Sequence, residues 1–338
     1  MTASQDALRP EEFAEAARAA VDDARTRPLR DAARVLARAG LSGVGAAEAD
    51  GGLGLDIAFA LPIAEAAGRE QLRFPIVEQM LLARALAGTP AAAALAAGDA
   101  LGSIAWQGSI AEGVAGHARH AADVDWVLVA QDGADAAVDD GDSGAVLLEV
   151  AGLGVQADGA LDPEVPCVWL SLEGAREVAR IDAARLARLR DEARILYAGF
   201  VTGAAEGAIR RTANHVATRV QFGRPLSAKQ AVRHWLARMQ LLAEVSAAAS
   251  RRALDADEFG AARDTRATLA GALANATFVI EKAIHLHGGM GFTWEMPLHH
   301  SLRDIRAVDA AFGGGGLAHA IGRRFIDAVD AARQARAA

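Results

Sequence analysis

The spacing of apolar positions divides the chain into three stretches. Before about residue 100 and after about residue 183, apolar residues recur at the spacing of helices with one buried face. Between these stretches, short apolar and β-branched runs alternate with turn residues, and no helix-length segment joins them. The pattern predicts a mainly helical α+β chain, with an N-terminal helical domain over 1–100, a small antiparallel sheet or barrel over 101–182, and a helical domain over 183–338.

The last stretch is predicted to be an antiparallel four-helix bundle, because four long helical segments are joined by short glycine or proline turns. The strand-like runs are Trp126–Ala130, Ala145–Val150 and Val165–Leu172. The long helical segments are Ala183–Val220, Ala228–Ala256, Asp264–His285 and Leu317–Arg336.

Composition narrows the function classes. The chain has 338 residues, of which 84 are alanine and 52% are hydrophobic, so it has enough apolar material for a core. Its net charge of -8 argues against general nucleic-acid binding. A single cysteine, Cys167, excludes an intramolecular disulfide and a cysteine-based metal centre. The polar first ten residues and the lack of a long uninterrupted apolar run predict a cytoplasmic protein without a membrane span.

Two stretches combine turn residues with groups that bind anions. In Thr218–Val232, a helix ends, Gly223 and Pro225 turn the chain, and arginine, glutamine and phenylalanine side chains gather at the corner. An arginine fork suits a pyrophosphate. In Ile284–Glu295, three glycines within four residues let the backbone approach another group closely. Each stretch taken alone is equally compatible with an ordinary interhelical turn.

Together, in this order and about 65 residues apart, the two stretches resemble the C-terminal domain of the acyl-CoA dehydrogenase family. Asp50–Leu55 resembles the family's N-terminal glycine turn, and Leu302–Asp304 resembles the segment before its active-site loop. The order of helices, sheet and helices is also that of the family.

The resemblance implies an FAD flavoprotein that acts on acyl-CoA thioesters and passes electrons to an electron-transfer flavoprotein. In the family, FAD lies at a subunit interface, where side chains from the first motif meet the diphosphate, ribityl and adenine parts and glycine backbone meets the diphosphate. A histidine stands here at position 285, where the family commonly has glutamine. The matching positions are Arg219, Gln221, Phe222, Gln230, His285, Gly288 and Gly289.

The catalytic positions of the family are not kept. The family uses a carboxylate to remove the α-proton of the thioester while the β-hydride goes to the flavin. The two positions known for this base hold Phe312 and Ala193 here, and neither side chain accepts a proton. Glu192 and Asp309 lie nearby in sequence and are weak candidates for a displaced base. The family segment that contacts the flavin ring is replaced by Ser103–Ser109.

This combination predicts the non-catalytic subunit of an α2β2 acyl-CoA dehydrogenase, similar to those of bacterial steroid side-chain degradation. The partner subunit is expected to carry the base. Two alternatives stay open: a homodimeric enzyme that uses Glu192 or Asp309, and a non-catalytic protein that binds acyl-CoA or flavin. No metal site is expected, because His117 and His120 are interpreted as surface residues without an acidic or cysteine partner nearby, and the adjacent His299 and His300 would diverge on a helix. Glu295 and Asp304 could serve acid–base chemistry but are interpreted as solvated surface carboxylates.

Overall fold

Five helices precede the strands. The computed structural model describes residues 9–132, 143–157, 162, 165 and 167–337, so most of the polar start of the chain lies outside the described residues. A proline starts three of these helices at or next to their first position, where its missing N–H leaves no hydrogen bond unmade. The helices are α1 (Pro10–Ala24), α2 (Leu29–Arg38), α3 (Leu61–Arg69), α4 (Ile76–Ala85) and α5 (Pro90–Ala97).

In the described residues, the strands of the middle stretch form two four-stranded sheets rather than the single antiparallel sheet or barrel predicted from sequence. The first sheet has the order β1-β4-β5-β8, and the second has the order β2-β3-β7-β6. The β1–β4 pair is parallel because the β2–β3 hairpin between them belongs to the other sheet. The strands are β1 (Gly102–Ile104), β2 (Gln107–Ser109), β3 (Val114–Arg119), β4 (Trp126–Ala130), β5 (Ala145–Glu149), β6 (Gly154–Ala157), β7 (Cys167–Ser171) and β8 (Glu177–Ile181).

The C-terminal helices pack around two long ones, α6 (Ala183–Thr218) and α8 (Thr265–His287). Helix α8, with the turn after it, is apolar and long enough to cross a membrane (mean hydropathy 1.2), but it contacts all four other helices of this group. A helix before the last glycine cluster, α9, was not predicted. The elements are α6 (Ala183–Thr218), β9 (Val220–Gln221), β10 (Arg224–Pro225), α7 (Gln230–Arg252), α8 (Thr265–His287), α9 (Leu298–Ala311) and α10 (Gly316–Ala337).

Glycines bring α3 and α6 into backbone contact, which joins the N-terminal helices to the C-terminal ones. A Cβ on Gly68 would lie 1.9 Å from the carbonyl oxygen of Phe200, and one on Gly203 would lie 2.0 Å from that of Glu65. No larger residue fits at these distances without moving a helix. The core is therefore continuous across the three parts of the chain.

Gln79 is a buried hydrogen-bonding group that ties α4 to the start of the first sheet. Its Nε2 donates to the carbonyl oxygens of Leu95 (2.9 Å) and Ala100 (2.8 Å), and its Oε1 accepts from the backbone N–H of Gly102 (3.0 Å). Gln79→Ala removes three buried hydrogen bonds, although the Leu95 carbonyl oxygen keeps the one that it accepts from the Gly98 N–H, so we expect the free energy of unfolding to fall by about 3 kcal/mol. Urea unfolding followed by circular dichroism measures the change.

The matched control is Gln240→Ala, because Gln240 is exposed and bonds only to Glu244 in the same helix. We expect a change below about 0.5 kcal/mol there. Equal losses in the two variants would contradict the role assigned to Gln79.

Candidate functional site

A tight hairpin follows α6 and presents an aromatic side chain to solvent. Strands β9 and β10 are antiparallel, with Gln221 opposite Arg224, so that Phe222 and Gly223 form the two-residue turn. Both turn residues have positive φ, 57° and 73°, as the favoured hairpin turns require. The Phe222 side chain is 91% exposed, with Lys229 Nζ 5.0 Å from its ring centroid.

Phenylalanine at position 222 does not stabilise the folded chain. Asparagine or glycine fits a left-handed backbone with less strain than phenylalanine does. An exposed aromatic ring also buries almost no apolar surface in the folded monomer. Strain without packing is typical of a residue whose contact lies on another molecule.

The second motif forms a short 3₁₀ turn, Gly288–Phe292, at the end of α8. Gly288 has φ 63° and ψ −141°, a conformation open mainly to glycine. A Cβ placed on either Gly288 or Gly289 would have no atom within 4 Å. The backbone at these two glycines therefore borders open space. Beyond them, Phe292 and Trp294 are 81% and 66% exposed.

The structure brings the two motifs to the same end of the helical domain. His215, in the last turn of α6, stacks on His287, in the last turn of α8, with ring centroids 4.4 Å apart and planes at 23°. The pKa of His215 is lowered, first by burial and then by the nearby charges of His287 and Arg219. The hairpin and the glycine turn therefore flank one surface, which we call the hairpin–glycine surface.

The donors of this surface suit a diphosphate-bearing cofactor such as FAD. Guanidinium, ammonium and amide groups lie in or next to the hairpin, and backbone is accessible at the glycine turn. All the predicted cofactor residues are exposed and therefore accessible to a ligand. They are Arg219, Gln221, Phe222, Gln230, His285, Gly288 and Gly289.

The position that the resemblance assigns to the catalytic base is closed by aromatic packing. Phe312, at the end of α9, is 1% exposed. Its ring centroid lies 4.8 Å from that of Trp106 and 5.6 Å from that of Tyr197. Trp106 and Tyr197 also meet edge to face at 5.8 Å. We call these three residues the aromatic plug. Ala193, at the other base position, is fully buried in α6.

A hydrogen bond reinforces this contact between the sheets and α9. Gln107 Nε2 donates to the carbonyl oxygen of Ala310 at 2.6 Å. The segment Ser103–Ser109 thus packs directly onto Phe312, the residue at the position that the resemblance assigns to the base.

The two displaced-base candidates have other partners. Glu192 Oε1 accepts a hydrogen bond from Arg84 Nε at 3.0 Å, in a cavity on the side of the N-terminal helices. Its pKa is raised by burial, against the opposing effect of Arg84. Asp309 accepts from the backbone N–H of Gly315 at 3.2 Å and so holds the glycine turn after α9. Neither carboxylate has a contact with the aromatic plug among the described residues.

A buried charged cluster lies next to the plug, and no sequence pattern indicated it. Arg119, at the end of β3, has its Nη2 3.6 Å from Asp304 Oδ1, and its guanidinium lies over the ring of Phe200 at 5.3 Å. Burial lowers the pKa of Arg119, but Asp304 and Glu78 raise it above the ordinary range. Glu78 is 1% exposed. Asp304 is 6% exposed, so its interpretation as a surface residue was wrong.

His120 is also buried, at 5% exposure, and was wrongly interpreted as a surface residue. Burial lowers its pKa to about 3, and the positive charges of Arg119 and Arg73 act in the same direction, against Asp162. Folded protein therefore keeps His120 neutral while unfolded chain binds a proton below about pH 6.5. We expect His120 to cost about 2 kcal/mol of stability between pH 7 and pH 5.

His120→Asn tests this expectation. Asparagine accepts the left-handed φ of 53° at this position. The variant should lose less unfolding free energy between pH 7 and pH 5 than the natural chain does. His234→Asn, at an exposed histidine, should leave the pH dependence unchanged. An unaltered slope in the His120 variant would show that this histidine is not held neutral.

Comparisons with known proteins bear on the family and the fold. Residues 174–325 match the family model "Acyl-CoA dehydrogenase, C-terminal domain". The acyl-CoA dehydrogenase IpdE2 of Mycobacterium tuberculosis is 37% identical over 142 residues, covering 37% of this chain. That match spans only 43% of the length of IpdE2.

Solved structures match over nearly the whole chain. The Tcur3481–Tcur3483 steroid ACAD has a TM-score of 0.80 at 24% identity, covering 95% of this chain and 98% of that one. The ChsE4–ChsE5 complex from Mycobacterium tuberculosis has a TM-score of 0.78 at 23% identity, covering 96% and 98%. At these identities the likeness shows the fold. Residues 174–325 therefore belong to the acyl-CoA dehydrogenase family as its C-terminal domain, and the chain as a whole has the fold of that family.

Proposed function

We propose that this chain is the non-catalytic subunit of a heteromeric, FAD-dependent acyl-CoA dehydrogenase. Its hairpin–glycine surface completes an FAD site whose flavin ring and catalytic base belong to a partner subunit. The heteromer is an α2β2 tetramer that oxidises an acyl-CoA, of the steroid side-chain class, and passes the electrons to an electron-transfer flavoprotein.

The observation that carries the proposal is the aromatic plug. A dehydrogenase needs a carboxylate near the α-carbon and an open slot for the flavin ring. Here Phe312 occupies the base position and packs on Trp106 at 4.8 Å. Aromatic side chains of this chain therefore fill the position at which the reaction requires a carboxylate.

The hairpin–glycine surface supports the second half of the proposal. Acyl-CoA dehydrogenases are FAD flavoproteins, and FAD supplies the hydride acceptor when bound. In this chain, Arg219 and the glycine backbone would hold the diphosphate, while Phe222 would pack against the nucleotide. None of these groups is placed to move a proton. Their contribution is to bind and orient the cofactor.

The two similar solved structures support a mixed assembly, since each is named for two different polypeptides, Tcur3481 with Tcur3483 and ChsE4 with ChsE5. The steroid class of substrate is proposed because the first of them is a steroid ACAD. A homodimeric enzyme using Glu192 or Asp309 is less well supported, because these carboxylates pair with Arg84 and the Gly315 backbone. A protein that only binds acyl-CoA or flavin would need no partner subunit, so the pairing of two polypeptides in both similar structures does not favour this alternative.

The test is to produce the chain alone and together with a dehydrogenase subunit that has the base, ideally one encoded next to it. We expect the lone chain to be colourless and inactive, and the co-produced pair to be yellow and to reduce an electron acceptor with acyl-CoA. Turnover by the lone chain, lost on Glu192→Ala or Asp309→Ala, would establish the homodimeric alternative. Flavin or acyl-CoA binding by the lone chain without turnover would establish the binder.

A further inference from the structure

A separate cavity lies between the N-terminal helices and the first turns of α6. Its volume is about 380 Å³, within the range of small-ligand sites. Three arginines and one carboxylate give it an excess of positive charge: Arg84, Arg185, Arg188 and Glu192. Backbone from Gly45 and Gly54 closes one side. We call it the arginine cavity.

Arg84 is held in a fixed position at the wall of the cavity. Its Nε donates to Glu192 Oε1 at 3.0 Å, and its Nη1 donates to the carbonyl oxygens of Gly45 (3.4 Å) and Leu55 (3.2 Å). The remaining nitrogen, Nη2, has no hydrogen-bond partner among the described residues. A guanidinium with two sides fixed loses little side-chain entropy when its third side meets an anion.

The other two arginines of the cavity lie near the N-terminal end of α6, where a positive charge is unfavourable. Arg185 and Arg188 are in the first two turns of α6, whose N-terminal end carries partial positive charge. Arg185 Nη1 contacts the carbonyl oxygens of Ala85 (3.3 Å) and Ala87 (3.4 Å). Arg188 makes no ion pair or hydrogen bond in the described part of the chain. Its positive charge interacts with Glu192, whose ionised form it favours.

We infer that the arginine cavity binds the phosphate or pyrophosphate group of a small soluble ligand. Three guanidinium groups around a concave space match the oxygens of such a group, which accepts paired N–H donors. A single carboxylate on the ligand would leave part of this donor set unused. The cavity is also distinct from the hairpin–glycine surface, since the two share no residue.

Calorimetric titration of the full chain, with inorganic pyrophosphate and with ADP as probes, tests the inference. Arg188→Gln should weaken binding of both probes about tenfold, because one charge-assisted contact is lost. Glu192→Gln should tighten binding several-fold, because it removes the negative charge of the cavity. A merely structural role for these residues does not predict this opposite pair of effects.

Arg38→Gln, at an exposed arginine of the N-terminal helices, is the control and should leave the affinity within about twofold. Because Arg219 is proposed to hold the FAD diphosphate, a loss of affinity confined to Arg219→Gln would place the probes on the hairpin–glycine surface and overturn the inference. Thermal unfolding confirms that each variant is folded. No binding of either probe at millimolar concentration, or an unchanged affinity in Arg188→Gln, would overturn the inference. The chain is titrated alone, so the result does not depend on the proposed heteromer.

Discussion

Phe222→Asn is expected to weaken FAD binding in the complex with the catalytic partner about tenfold or more, without destabilising the chain. Phe222 is 91% exposed and its backbone is left-handed, a conformation that asparagine accepts. The free chain should therefore unfold at the same temperature or slightly higher. In the complex, loss of an aromatic contact with the nucleotide costs on the order of 1–3 kcal/mol. Fluorescence titration of the apo complex with FAD measures the dissociation constant.

Phe259→Asn is the matched control, because Phe259 is 86% exposed but lies in the link between α7 and α8. It should leave FAD affinity unchanged. If the Phe222 variant bound FAD as tightly as the natural complex, the hairpin would not be part of the cofactor site.

Phe312→Ala is expected to lower the free energy of unfolding by about 3–5 kcal/mol, as deletion of a buried aromatic side chain usually does. Phe312 is 1% exposed and packs on both Trp106 and Tyr197. Phe325→Ala, at a side chain that is 72% exposed, should change stability by less than about 0.5 kcal/mol. Urea unfolding of the lone chain compares the two.

A second substitution at position 312 gives a functional prediction. Phe312→Glu restores a carboxylate at the position of the family base, yet we expect no acyl-CoA turnover by the lone chain. The Trp106–Tyr197 contact and the Gln107–Ala310 hydrogen bond would still pack the sheets onto this end of α9, and by the proposed function the flavin ring is held by the partner subunit. Flavin-dependent turnover by this variant would mean that the base alone was missing and that the aromatic plug does not block the site.

The sequence predicted the fold and the exposed cofactor residues because these depend on local patterns. Helical spacing marked α6, α7, α8 and α10, with ends within a few residues of those observed, except that α7 ends at Arg252 rather than Ala256. The turns at Gly223 and at Gly288 were recognisable from their glycine and proline residues, whereas the hairpin pairing of β9 with β10 was not predicted. Whether the predicted residues bind FAD stays a prediction.

The buried parts of the site could not be predicted, because they depend on contacts between distant segments. The plug joins positions 106, 197 and 312, which belong to a strand link, α6 and the end of α9. Likewise, the charges of Arg119 and Asp304 compensate each other only after folding, and isolated charged residues are usually exposed. Helix α9 was missed because it lies between two glycine clusters and is shorter than the other helices of this domain.

The ratio of FAD to polypeptide in the purified pair tests the central proposal most directly. Native mass spectrometry together with the visible flavin spectrum gives both the subunit composition and the number of bound cofactors. A chain that completes a partner's site but has none of its own predicts about one FAD for every two polypeptides, and none on this chain alone. One FAD for every polypeptide, or a lone chain saturated with FAD, would contradict the account.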